Sequence, residues 1–194
     1  MNGITIEKNS NNKIYSMILI AVFTSLTCMG GFIRIPMFPV PFTLQTLFVY
    51  FSALLLGIRR AVLSQVLFLV IGLAGIPVFA KGGGPAYILQ PSFGYLAAFP
   101  LSVYICGKIF SKNKNHSFSR LLLACASSML VILGVGSLYL YFNLNYIIDT
   151  SVSFSKVFVT GFLVFLPAEV LKCFIAVLIY RKLEKIKIID DLLQ

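Results

Sequence analysis

The spacing of charged residues constrains this chain more than any other feature. No Asp, Glu, Lys or Arg lies between Lys13 and Arg34, Arg34 and Arg59, Arg60 and Lys81, Lys81 and Lys108, or Arg120 and Asp149. A further run, Val157 to Tyr180, carries only Glu169 and Lys172. Each run is long enough for a helix of ~20 residues to cross a ~30 Å hydrocarbon core. Composition agrees: the 194 residues are 59% hydrophobic and 11% charged. Soluble chains run roughly 45–50% apolar and about 25% charged. Alternating strand patterns are absent, so helices rather than a barrel are expected.

The expectation is an all-α integral membrane protein with six transmembrane helices. It divides into a flexible N-terminus (1–13), a single membrane domain (14–180) and a C-terminal tail (181–194). Lys8 and Lys13 look like the start of a signal peptide. The apolar part, Ile14 to Ile33, is too long for one and has no small-x-small cleavage site, so it is expected to remain as helix 1. The other helices are expected at about 43–56, 61–76, 95–110, 121–142 and 157–180.

Orientation follows the Lys and Arg distribution. With six spans, one side receives Lys8, Lys13, Arg59, Arg60, Lys108, Lys112, Lys114, Arg120, Arg181, Lys182, Lys185 and Lys187. The other receives only Arg34, Lys81 and Lys156. Both termini are therefore expected in the cytoplasm, with long outer loops after helices 1, 3 and 5. The net charge of +10 is mostly this topology signal and not a nucleic-acid footprint. Cys28, Cys106, Cys125 and Cys173 stand singly in apolar runs, without a CxxC pair. They imply neither disulfides nor a metal site, and no cofactor is expected. His116 is read as solvated in an inner loop.

The outer loops hold the unusual chemistry. RIPMFPVPFTLQT, Arg34 to Thr46, contains Pro36, Pro39 and Pro41, which preclude regular helix. KGGGPAYILQPSFGY, Lys81 to Tyr95, joins three glycines to Pro85 and Pro91. Such segments make a pocket wall or lid, or only turns. The glycines do not form a phosphate loop: Lys81 precedes them and no Ser or Thr follows at the required place. The chain has no ATPase site of its own.

FLPAEVLKCF places Glu169 and Lys172 within the last span. A mid-membrane charge costs about 2.5–3.5 kcal/mol on insertion scales. At i,i+3 the two share a helix face, so they either neutralise each other or face a solute site together. Pro167 can loosen the helix where the pair begins. Thr43 and Gln45 open helix 2, where a buried amide bonds another helix or a ligand. Ala21-x-x-x-Ser25 and Ala53-x-x-x-Gly57 are small-residue stripes, suited to packing within the chain or to docking another membrane protein. An intramembrane enzyme is disfavoured, because the sole His lies in a loop and no Asp lies mid-membrane.

Taken in order, IPMFPVPFTLQT, LLLGIRRAVLSQVLFLVIGLAGIPVFAKGGG, LQPSFGYLAAFPLSVYICGKI and LPAEVLK resemble the BioY family. These are biotin-specific substrate-binding (S) components of energy-coupling factor (ECF) transporters. The resemblance implies six helices in the bacterial plasma membrane and biotin enclosed by the outer loops. It also implies partnership with a transmembrane coupling (T) component and two ABC ATPase subunits. The docking stripe on helix 1 maps to Ala21 and Ser25. By chemical matching, Glu169 would accept from the ureido N–H groups and Lys172 would donate to a ligand oxygen. Thr43 and Gln45 would add polar contacts and Tyr95 would pack on the bicycle; Lys81 completes the expected set. The chain departs from the family pattern at Ser25, at Glu169 where Asp is common, and at Gln90 and Phe93 where glycines are usual. A stand-alone, gradient-driven vitamin carrier with Glu169 as a proton site is the alternative reading.

Overall fold

The computed structural model describes residues 2–111 and 117–185. Lys112, Lys114, His116 and Lys187 lie outside the described residues. The order is α1 (Asn2–Phe32), β1 (Arg34–Ile35), β2 (Phe42–Thr43), α2 (Gln45–Leu55), α3 (Ile58–Leu73), a 3-10 turn (Pro85–Leu89), α4 (Phe93–Ala97) and α5 (Phe99–Ser111). Then come α6 (Phe118–Phe142), a π turn (Asn143–Ile147), α7 (Phe154–Phe158), a π turn (Val159–Leu163) and α8 (Leu166–Lys185).

Among the described residues the regular structure is helical apart from one minimal hairpin and an isolated bridge between Phe79 and Gly82. The stretches Lys13–Phe32, Phe93–Phe110, Phe118–Ile147 and Phe154–Glu184 are long and apolar enough to cross a membrane. Two of the six expected spans are shorter. At 1.5 Å per residue, α2 reaches only about 16 Å and α3 about 24 Å. The reason lies in the loops. Pro36, Pro39 and Pro41 lack N–H donors, so the apolar run after Arg34 cannot be helical until Gln45. Instead Arg34 pairs with Thr43 and Ile35 with Phe42 in the antiparallel hairpin, which the sequence did not lead us to expect. Helix α1 begins at Asn2 rather than Ile14, because no proline interrupts its polar lead.

α2 occupies the interior and packs against α1, α8, α5 and α3. Its Val49, Ala53 and Leu54 are fully buried. The outer helices present large apolar side chains outward, including Met17 and Val22 of α1, Val70 of α3, Leu123 of α6 and Leu178 of α8. Greasy side chains on the periphery around polar ones inside describe a multi-pass membrane protein. Gly57, at φ +73°, makes the tight turn between α2 and α3. The last span is broken, as Pro167 foreshadows: α7 and a π turn precede α8, and Pro167 sits in the first turn of α8 where its missing N–H costs little.

Three connecting segments converge at one end. Asn143 Nδ2 donates to Leu89 O at 2.8 Å and the Tyr139 hydroxyl to Ile88 O. These bonds tie the C-terminal end of α6 and the π turn after it to the Gly-rich segment. Lys81 Nζ donates to Pro39 O at 3.3 Å, tying that segment to the Pro-rich one.

Candidate functional site

Glu169 and Lys172 lie one turn apart on α8 and are 4% and 5% exposed. Burial of either alone would be prohibitive, and the structure supplies partners for both. Lys172 Nζ lies 2.7 Å from Glu169 Oε1, 2.8 Å from Thr46 Oγ1 and 2.6 Å from Thr43 O. An ammonium has three donors, and here three protein oxygens accept them. The Phe42 ring lies 4.0 Å from Nζ and adds a cation–π contact. Glu169 Oε1 also accepts from Thr46 Oγ1 at 3.0 Å, and Oε2 accepts from Tyr50 Oη at 2.7 Å. Thr46 and Tyr50 stand four apart on α2, so both face α8. The network therefore joins α8, α2 and the end of β2.

Beside this pair lies a pocket with about 480 Å³ of non-atom space, part of it open solvent. Thr43, Gln45, Thr46, Tyr95 and Glu169 supply its inner wall, with Leu96, Phe99, Ile132, Leu133 and Phe165 as apolar lining. Val40, Pro41, Ala80, Tyr87 and Ser92 close it from the loops.

Gln45 is 1% exposed. Its Oε1 accepts from Thr43 Oγ1 at 3.2 Å, while its Nε2 has no partner. The position is sterically set: a Cβ at Gly31 would lie 3.0 Å from Nε2, and one at Gly30 2.9 Å from the Gln45 backbone. A buried donor left unmatched costs ~1–3 kcal/mol, so it asks for an acceptor. The Tyr87 and Ser92 hydroxyls share one hydrogen bond at 3.2 Å, leaving a second hydroxyl proton for another partner. Burial pushes the Tyr87 phenol above its ordinary pKa, so it keeps its proton near neutrality.

Tyr95 is held as much as it lines. Its hydroxyl donates to Gly161 O at 2.7 Å, a carbonyl in the π turn before α8. Its ring lies where Cβ atoms at Gly136 would come within 2.2 Å. The slot thus aligns the cavity wall with the segment that carries Glu169.

Of the expected residues, Thr43, Gln45, Tyr95 and Glu169 meet at the cavity, and Lys172 lies behind Glu169. Lys81 does not join them. The Phe79–Gly82 bridge turns the chain there, and Lys81 lines a separate outer groove with Arg34. Ala21 and Ser25 point out of the bundle, and the Ser25 hydroxyl bonds Ala21 O at 2.9 Å. The stripe residue Ala53 instead is buried within the chain. Of the departures from the family pattern, Phe93 packs edge-on against Tyr139, away from the cavity lining. Thr46, Tyr50, Tyr87 and Ser92 were missed. The i,i+4 spacing of Thr46 and Tyr50, beginning one residue after Gln45, was the available signal.

The profile of the BioY family matches residues 6–188. A "Probable biotin transporter BioY" of Lysinibacillus sphaericus is 37% identical over 171 residues, covering 88% of this chain and 87% of that one. The "Biotin transporter BioY" of Thermotoga maritima is 33% identical over 173 residues, covering 89% and 97%. The crystal structure of the S-component for biotin from an ECF-type ABC transporter superimposes with a TM-score of 0.79 at 28% identity, covering 90% and 93%. With a family match over nearly its whole length and this shared fold, the chain belongs to the BioY family.

Proposed function

We propose that this chain captures biotin as the S component of an ECF transporter. It is a transport subunit, not an enzyme. The observation that carries the reading is the cavity beneath the converging loops, with a charge-balanced floor at Glu169 and Lys172 and an unmatched donor at Gln45 Nε2. Such a floor suits a neutral group rich in hydrogen bonds rather than a free ion. The ureido ring of biotin is one: two N–H donors and a carbonyl. Its carbonyl would meet Gln45 Nε2, and its N–H groups would meet lone pairs of Glu169 and Thr43. Lys172, with its three donors engaged, holds Glu169 and Thr46 in place, and Tyr95 gives the bicycle an aromatic wall.

In this reading all six helical segments lie in a bacterial plasma membrane, with the termini in the cytoplasm. Residues 1–13 and 181–194 flank one membrane domain, 14–180. A T component docks on the outward stripe of α1 at Ala21 and Ser25, and two ABC ATPase subunits supply the energy. The gradient-driven alternative needs Glu169 as a proton exchanger. Three hydrogen bonds to Glu169 argue instead for a fixed binding element.

The test is binding of labelled biotin to ligand-stripped protein in detergent, with thiamine and riboflavin as competitors. Saturable binding displaced by biotin alone is expected. Displacement by either other vitamin, or no binding, would sink the assignment.

A further inference from the structure

The end of α8 away from the cavity carries a feature that solute capture does not use. At 1.5 Å per residue, Arg181 stands about 18 Å along α8 from Glu169. It closes the apolar stretch Phe154–Glu184, which is long enough to cross a membrane. There Arg181 and Lys182 line a groove with Leu178 of the same helix and Phe118, the first residue of α6. Both cations are exposed. Among the described residues no acid lines the groove, and none pairs with either cation.

The face of α8 that leads to the groove is apolar. Leu171, Phe174 and Leu178 follow one another at three and four residues, and Arg181 and Lys182 continue the same row. All three apolar residues are exposed. The Phe118 ring meets Phe174 edge-on, with centroids 5.4 Å apart, so the groove wall runs on into that face. A cation that merely snorkels from a helix end needs no concavity beside it. Here two adjacent cations border a concavity, and a hydrocarbon track leaves it toward the middle of the helix. A soluble anion would use the cations and leave the track bare. An anionic amphiphile uses both.

We propose that the groove between α6 and α8 binds an anionic phospholipid. The headgroup phosphate lies between Arg181 and Lys182, and one acyl chain runs along Leu178, Phe174 and Leu171. This goes beyond the biotin reading and requires only that α8 lies in a membrane.

The chain contains no Trp, so one introduced Trp reports its own surroundings. Leu178→Trp places the reporter in the groove. Leu63→Trp places it at another exposed site, one turn after Arg59 and outside the groove lining. Each whole chain would be set in phosphatidylcholine nanodiscs with a minor fraction of brominated phosphatidylglycerol or of brominated phosphatidylcholine, and Trp quenching compared. At L178W the quenching should report about tenfold local enrichment of phosphatidylglycerol, shrinking as salt rises. At L63W the enrichment should be much smaller. Adding R181Q/K182Q to L178W should abolish the preference and keep quenching by brominated phosphatidylcholine, which shows that the reporter still faces lipid. R181K/K182R, which retains both charges, should keep most of the preference. No preference at L178W, or one that survives R181Q/K182Q, would overturn the site. An equal preference at L63W would mean diffuse attraction to a basic membrane face and also overturn it. Loss of the preference on adding inorganic phosphate at constant ionic strength would assign the cations to a soluble anion instead. A preference seen only in a chain ending at Lys185 would make residues 186–194 the occupant, and absence of quenching by either lipid would mean that protein covers the groove; both results would sink the proposal.

Discussion

The inner cavity and the outer groove share walls from the same two loops yet handle charge in opposite ways. In the cavity, Glu169 and Lys172 are buried and consume each other, with Thr46, Tyr50 and the Thr43 carbonyl filling the remaining valences. In the groove, Arg34 and Lys81 are exposed, and no acid in the lining balances them. Low dielectric explains the difference. A charge inside the bundle must be neutralised on the spot, whereas one at the rim is carried by water.

The comparison can be broken most severely at the buried pair. Glu169→Gln or Lys172→Met alone leaves an uncompensated charge, and a loss of ~3–5 kcal/mol is expected, read as thermal unfolding in detergent. The double variant E169Q/K172M should recover much of that stability without recovering biotin binding. Recovery of both would make the pair merely structural. Gly136→Ala comes next: its Cβ would meet the Tyr95 ring at 2.2 Å, for an overpacking cost of ~1–3 kcal/mol. Combining it with Tyr95→Ala should relieve the clash, and a melting temperature lower than that of either single variant would contradict the slot.

Gln45→Leu sharpens the contrast more gently. It removes a donor already unmatched in the empty protein, so stability should hold or rise slightly. Biotin affinity should fall by about tenfold, the share of one hydrogen bond of ~1.4 kcal/mol. A fall in stability with affinity intact would mean that Nε2 has a structural partner instead. The smallest binding effect belongs outside both regions. Ala21→Leu with Ser25→Leu should leave biotin affinity and melting unchanged, because both face outward. Uptake by cells that supply the T component and ATPases should nevertheless be lost.

The helical membrane architecture was legible because a charge-free run is a strong physical constraint: lipid admits few alternatives. Glu169 and Lys172 were legible for the same reason, as charges where almost none are tolerated. Thr46 was not, since Ser and Thr hydroxyls in an apolar helix satisfy themselves on local carbonyls as readily as on a partner. Ser52 does so on Val49 O and Ser64 on Ala61 O. Nor was Tyr50, which stands in the sequence as one more aromatic of an apolar helix. Lys81 lies in a glycine-rich segment whose turn, closed by the Phe79–Gly82 bridge, places it on the groove with Arg34 and not in the cavity lining. Tyr87 and Ser92 come from a loop whose path no periodicity encodes.

By itself, then, the sequence determined that the chain is helical, membrane-bound and marked by one charged pair. Those properties depend on composition along a single helix, where lipid enforces the rule residue by residue. Only the tertiary structure decided that α2 sits at the centre, that its Thr46 and Tyr50 complete the pair, and that Gln45 Nε2 remains unmatched. It also separated Lys81 from the cavity that Thr43 lines. These depend on which faces and loops meet across the bundle, and long-range contacts leave no period in the chain to read.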